Sequence, residues 1–180
     1  MIRYRDAGIE DAASVQALFR DSFTDTFAHL YQPADLAAFF GKFTLEAWQA
    51  EIGDPAYRLR LAEEDGAAIG FAKMGPLSVP IEPERPTVEL RQLYVLPDYK
   101  GRGVAAALMD WALDEARRRG AQDVVLSVYS DNPRARRFYE RYGFEEVGAY
   151  LFMVGSHADD DRIMRLRLEQ AAPVAAAAAG

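Results

Sequence analysis

Cysteine is absent from this chain of 180 residues, which removes disulfides, thiolate zinc sites and a cysteine nucleophile together. Histidine occurs only as His29 and His157, which stand isolated, and no metal constellation is expected. Positive charge is in deficit: 21 Lys and Arg face 28 Asp and Glu, a net charge of −7. Such a balance argues against general nucleic-acid binding and favours a cationic partner. No apolar run approaches the ~20 residues that span a bilayer. The opening stretch, MIRYRDAG, lacks the apolar core of a signal peptide. A cytoplasmic protein with neither nucleic acid nor membrane as partner is expected.

Hydrophobic residues make up 50% of the chain and aromatics 12%, enough for one buried core at this length. Residues 1–170 are expected to form one domain, followed by the low-complexity tail 171–180, AAPVAAAAAG. Residues 2–5 suggest a short strand. Val15, Leu18, Phe19, Ser22, Phe23, Phe27 and Leu30 recur at helical spacing. Pro33 suits the first turn of a second helix that runs from about Ala34 to Trp48 and Ile52, with a break near Gly41. Strands at 57–63 and 67–74 flank an Asp65-Gly66 turn, and four prolines between 76 and 86 make a loop.

In the strand at 87–96, Val88 and Leu90 are apolar at even positions, Leu93 and Val95 at odd ones. Side chains alternate with period two, so either a one-residue bulge near Arg91 and Gln92 restores the register, or the strand is buried on both faces. Residues 103–119 read as a helix ended by Gly120, with Val104, Ala105, Leu108 and Ala112 inward and Asp114 and Glu115 paired to Arg118 and Arg119. A buried strand at 123–130 leads to Asn132 and Pro133, the N-cap and first residue of a helix ending at Gly143. Strands at about 144–154 and 162–168 complete the pattern. Most aromatics of residues 19–48 are assigned to the core, a few near 28–33 to an amine-binding wall. Asp159, Asp160 and Asp161 read as a solvated hairpin that could attract a polycation.

The stretch LPDYKGRGVAAAL, residues 96–108, takes a strand through a glycine turn into a helix. The unpaired amides of residues 101–105, the helix dipole and the charges of Lys100 and Arg102 make an anion site. Arg134, Arg136 and Arg137 open the next helix; they supply a polyphosphate site or a solvated helix face. Gly101, Gly103 and Ala106 also satisfy G-x-G-x-x-A, the loose mark of a dinucleotide-binding oxidoreductase. Four residues, 97–100, separate the strand from the first glycine, and too little chain follows for a second half, so that reading is the runner-up.

ELRQLYVLPDYKGRGVAAALM followed by NPRARRFYERYGFEEVG resembles the GNAT superfamily of acetyl-CoA-dependent N-acetyltransferases. Lys100, Gly103 and Ala105 stand in its coenzyme loop, Q/R-x-x-G-x-G/A. Asn132, Ala135, Tyr139, Gly143 and Phe144 stand in its N-x-x-A-x-x-x-Y-x-x-x-G-F signature. Lys100 departs from the usual Gln or Arg and lacks a forked donor. The resemblance implies an α/β fold, a mixed, mostly antiparallel twisted sheet of about seven strands in the order β-α-α-β-β-β-α-β-α-β-β with helices on both faces. It also implies acetyl-CoA as acyl donor, no metal, and a possible homodimer. FTLEAWQAEIGDP and GAYLFMVGSHADDDRIMRLRL are similar to bacterial polyamine (spermidine/spermine) acetyltransferases, which implies a small amine acceptor.

Coenzyme contacts are implied for Leu93, Tyr94 and Val95, for the loop Lys100, Gly101, Arg102, Gly103, Val104 and Ala105, and for Asn132, Arg134, Ala135 and Arg137. An alkylammonium needs about 4.6 kcal/mol to lose its proton at pH 7, roughly 3.4 units at 1.36 each. Glu89 is the candidate base; its plainer reading is a strand-surface carboxylate paired with Arg91. Tyr139 is the candidate acid for the leaving thiolate; its plainer reading is packing on Phe138 and Tyr142. A non-catalytic acyl-CoA sensor on the same fold is the alternative from another functional class.

Overall fold

The structure, a computed structural model, describes residues 1–169. The chain runs through β1 (Arg3–Asp6), α1 (Ala12–Phe27), α2 (Pro33–Phe40), α3 (Leu45–Gly53), β2 (Arg58–Glu64), β3 (Ala67–Gly75) and β4 (Thr87–Val95). It continues through α4 (Val104–Arg118), β5 (Asp123–Tyr129), α5 (Pro133–Arg141), β6 (Glu145–Val154) and β7 (His157–Arg167). The seven strands form one sheet in the order β1-β2-β3-β4-β5-β7-β6. Every pairing is antiparallel except β4 with β5, where α4 supplies the crossover that parallel neighbours require.

Helices cover both faces. On one, Val104, Leu108, Met109, Ala112 and Ala116 of α4 pack on Ala72, Met74, Val124 and Leu126. On the other, α1, α2 and α3 bring Phe19, Phe23, Phe39, Phe40 and Trp48 together over Phe71. The predicted break of the second helix is real: α2 ends at Phe40, and the hydroxyl of Thr44 starts α3 by accepting from the Ala47 amide at 3.1 Å. Asp65 and Gly66 turn the β2–β3 hairpin at φ 52° and 80°, the left-handed pair this tight turn demands. No helix among the described residues is long and apolar enough to cross a membrane.

Two irregularities shape the centre. Lys73 pairs with Gln92 and Met74 with Leu90, so Arg91 is the extra residue of the bulge that the change of phase predicted. β4 and β5 pair only from Thr87 to Glu89 against Asp123 to Val125, after which they part. The Leu96 amide donates to Ile69 on the β3 side. Alternation therefore turns the amides of Val95 and Leu93 toward the gap, away from β3.

Two expectations are corrected. β7 begins at His157, not 162, so the three aspartates lie within a strand and the hairpin turns at Gly155 and Ser156. Aspartate is poor strand material, which hid the element; tertiary partners for Asp159 override the propensity. In α4, Asp114 pairs with Arg117 at 3.0 Å, while Glu115 takes both Arg118 and Arg119 at 2.7 and 2.8 Å. Glu115 is buried and Asp114 is exposed, so the inner carboxylate collects the guanidinium groups. The tail at 171–180 lies outside the described residues.

Candidate active site

A cavity of about 770 Å³ opens where β4 and β5 part. It is lined by the second half of β4, the glycine loop, the start of α5, the end of β5, residues of β6 and β7 beside it, and the aromatic edge of α1. At one end the chain leaves β4 and enters α4 through Gly101 and Gly103, at φ 82° and 80°. A Cβ on either glycine would meet nothing within 4 Å. Their requirement is conformational, and the space above the backbone is open. Gly103 is the N-cap of α4 and brings no side chain to its amides, which leaves them for an anion.

Lys100, Gly101, Gly103, Ala105, Asn132, Arg134, Ala135 and Arg137 line this end. Asn132 caps α5 by accepting from the Ala135 amide at 3.2 Å, so it faces the cavity and starts the helix at once. Lys100 lies 3.3 Å from Asp25. Two of the expected cations point elsewhere. Arg102 lies on Tyr99 and pairs with Glu64 at 3.2 Å, and Arg136 pairs with Glu146 at 3.1 Å. Val104 buries its side chain in the core under α4, so only its backbone can face a ligand. The loop is thus an amide and glycine cradle more than a ring of charges.

Midway, Leu93, Tyr94 and Val95 line the cavity opposite Tyr139. Burial raises the Tyr139 hydroxyl to about 12, so it holds its proton throughout the neutral range. Tyr142 instead reaches α4, donating to the Ala106 carbonyl at 3.2 Å and Asp110 at 3.0 Å; it is the structural member of the pair. Glu89 is only 3% exposed, although it lines the cavity. Its carboxylate accepts from the Ser78 amide, the Ser78 hydroxyl at 2.9 Å and the Val79 amide at 3.3 Å, with Arg91 Nε at 3.9 Å. The proline-rich loop therefore aims this group, and the plainer pairing with Arg91 is secondary. A carboxylate offers about four acceptor sites, so Oε1 keeps one for a water or an amine.

At the far end, Tyr31, Tyr129, Tyr150, Phe27 and Phe152 surround Asp159 and Asp161. The carboxylates are 4% and 6% exposed. Tyr31 donates to Asp159, whose other oxygen has His157 Nε2 3.2 Å away. Burial, followed by the charges of Asp159 and Asp160, pushes Asp161 up to about 7 against the opposing pull of Ser127 and Arg162. His29 is exposed on the turn after α1. Among the described residues no group of three or more His, Cys, Asp or Glu is placed to hold a metal ion.

The sequence model described as Acetyltransferase (GNAT) family matches residues 13–144. The chain belongs to the GNAT family of acetyltransferases. An uncharacterized N-acetyltransferase of Mycobacterium tuberculosis is 35% identical over 155 residues, covering 86% of this chain and 96% of that protein. An L-methionine sulfoximine/L-methionine sulfone acetyltransferase of Pseudomonas aeruginosa is 30% identical over 146 residues, 80% of either chain. The PaiA N-acetyltransferase of Thermoplasma acidophilum, solved with coenzyme A, superposes with a TM-score of 0.78 at 23% identity, covering 93% of this chain and 99% of that one. An acetyltransferase of Salmonella typhimurium, solved with its cofactor acetyl-CoA, gives a TM-score of 0.68 at 27% identity over 97% and 99% of the two chains. The GNAT fold, the acyltransferase class and acetyl-CoA as donor stand on this membership, and the dinucleotide reading falls.

Three parts of the GNAT cavity escaped the sequence. Lys73, 2% exposed, lies over Trp48 at 4.7 Å and pairs with Glu51; a lysine in an apolar strand gave no sign of facing inward. Ser78 supplies the bonds that orient Glu89, from a loop legible only as irregular. For Asp159 and Asp161, named as a possible polycation attractor, it was the burial that escaped; they alternate with exposed Asp160, a period-two pattern that was the available clue.

Asp161 also makes a prediction about stability. A carboxyl raised in the folded state favours folding below its unfolded value near 3.8 and loses that contribution as pH climbs through about 7. Asp161→Asn removes the buried charge. It is expected to melt above the parent at pH 8 by roughly 2–4 °C, about 1 kcal/mol or more, and the gap should narrow toward pH 5. Thermal melts at the two pH values check this; a gap independent of pH would show that Asp161 does not titrate in that window.

Proposed function

We propose that the chain transfers the acetyl group of acetyl-CoA directly to a neutral primary amine, both substrates being bound at once. The observation that carries this reading is the meeting, in one cavity, of the Glu89 carboxylate, the outward amides of Leu93 and Val95, and the Tyr139 hydroxyl. In this reading the amides of residues 101–105 hold the pyrophosphate, with Arg134 and Arg137 at its margin, and the β4 edge holds the pantetheine arm. The thioester oxygen takes an amide from β4 as its negative charge grows. Glu89 accepts the ammonium proton, directly or through one water. The freed nitrogen attacks the carbonyl, the C–N bond forms and the C–S bond breaks. Tyr139 donates a hydrogen bond to the departing sulfur, which takes up the second proton that the nitrogen sheds as it becomes an amide and so ends as the thiol.

Two acceptor classes have support. The acidic far end and the similarity to polyamine acetyltransferases favour a polycation. The Pseudomonas relative, named for methionine sulfoximine and sulfone, favours an α-amino acid, for whose carboxylate Lys73 and Arg91 line the cavity beside Glu89. The test is coenzyme A thiol release from acetyl-CoA against spermidine, spermine, short diamines, an aminoglycoside, a lysine peptide and methionine sulfone. Turnover on one class names the acceptor. Tight acetyl-CoA binding with no turnover on any amine would favour the sensor instead.

The coenzyme loop has its own test. Gly103→Val places a β-branched residue at φ 80°, where it is strained by roughly 1–2 kcal/mol. Acetyl-CoA affinity by calorimetry is expected to fall at least about tenfold. An unchanged affinity would remove this loop from the binding site.

A further inference from the structure

Asp159 and Asp161 are buried carboxylates that no lysine or arginine bonds within the described residues; the one basic group beside Asp159 is the half-exposed His157. The Asp159 oxygen that faces His157 is buried and makes no hydrogen bond. Leaving carboxylates in this condition is expensive unless a cation arrives. Burial and the neighbouring charges of Asp159 and Asp160 push Asp161 up to about 7, in line with that expense. The residues around them fit a cation rather than a neutral group. Tyr31, Tyr129, Tyr150, Phe27 and Phe152 line this end, and the faces of such rings attract ammonium groups.

The pairing register places this end relative to Glu89. Glu89 lies opposite Val125, and Asp161 opposite Tyr129, four residues further along β5. The two backbone positions are therefore offset by roughly 13 Å along the strands and two strand spacings, about 10 Å, across them. Val125, Ser127 and Tyr129 alternate onto one face of the sheet together with their partners. Tyr150, on β6 opposite Asp161, also lines the cavity. An α-amino acid with an uncharged side chain, such as methionine sulfone, carries its ammonium and carboxylate on one carbon and does not reach from one end to the other.

We propose that Asp159 and Asp161 form an ammonium subsite, and that the acceptor is a linear diamine or polyamine presenting one amine to Glu89 while a second is seated on this pair. The proposal rests on the acetyl-transfer reading. Tyr31 acts as a positioning residue, fixing Asp159 toward the cavity through its hydroxyl. The His157 ring lies 5.3 Å from the Tyr31 ring, centre to centre. A second ammonium also sets direction: the end on the subsite stays charged while the end at Glu89 loses its proton.

The test compares 1,8-diaminooctane with octylamine, which has the same chain and lacks the second amine. Thiol release by the unaltered protein is expected to show kcat/KM at least about tenfold higher for the diamine, mainly through KM. Asp161→Asn should erase that preference and Asp161→Glu should restore part of it, with retained coenzyme A binding showing that each variant is folded. Equal kcat/KM for the two amines in the unaltered protein overturns the proposal, as does a preference that survives Asp161→Asn, or faster turnover of methionine sulfone than of the diamine. If no amine releases thiol, the transfer reading fails by itself. Calorimetric titration with 1,8-diaminooctane alone then decides: binding that Asp161→Asn weakens tenfold or more upholds the subsite, and no binding, or binding unchanged by the variant, overturns it.

Discussion

Glu89→Gln is expected to lower kcat/KM for the amine by about 10²- to 10³-fold, on the order of 3–4 kcal/mol of transition-state stabilisation. The amide has nearly the same shape, and it can still accept from Ser78 through its oxygen. It cannot take a proton. The variant should therefore bind acetyl-CoA like the parent and fail at the step in which the ammonium becomes a nucleophile. Raising the pH supplies free amine from solution, so the deficit should shrink toward pH 10 as the ~10.4 of an alkylammonium is approached. Initial rates from pH 6 to 10 for both proteins measure this. A parallel pair of profiles, or an unchanged rate, would take Glu89 out of the reaction and return it to holding the loop at Ser78 and Val79.

Tyr139→Phe is expected to cut kcat by roughly 10²-fold while the KM for acetyl-CoA moves less than about twofold. The ring packs on Phe138 and Phe144, and phenylalanine preserves those contacts. What is lost is the hydroxyl at the departing sulfur. Because burial holds this hydroxyl near 12, well above a thiol near 8.5, transferring its proton outright is uphill by about 4–5 kcal/mol. Its stronger contribution is a hydrogen bond to the thiolate as charge develops. A corollary follows for the parent: the rate should show no alkaline fall from Tyr139 below about pH 11. A full-rate variant would refute the role. So would a fall near pH 9 that Tyr139→Phe removes, since that would make Tyr139 a far stronger acid than its surroundings allow.

Much of this protein was legible because the relevant signals are local. The phase slip across Leu90 and Leu93 pointed to the bulge at Arg91, which returns Val88, Leu90, Leu93 and Val95 to one core. Gly101 and Gly103 announced a left-handed turn, and Asn132-Pro133 a helix start, because these residues have few other uses in that order. The two signature stretches, joined to that geometry, brought the coenzyme end into view. Charge was the poorer guide. Arg102 and Arg136 looked like ligands for phosphate, but an exposed guanidinium reaches whichever carboxylate the fold sets nearby, and Glu64 and Glu146 are distant in sequence.

The acceptor end was the hardest to read. Its three aspartates resembled a hairpin because strand propensity cannot know that Tyr31, 128 positions away, donates to Asp159. The inward place of Lys73 was hidden for the same reason: Trp48 and Glu51 come from α3, on another part of the chain. Nor could the order of strands be deduced from periodicity, and it is that order that brings β7 beside β5 and makes the separation of β4 from β5 a cavity. Sequence alone determined most of the elements, the glycine loop and the family and narrowed the change of phase to one place, because these depend on neighbours within a few residues. Only the tertiary structure decided where each charge points, because ion pairs, burial and titration depend on groups that the chain brings together from far apart.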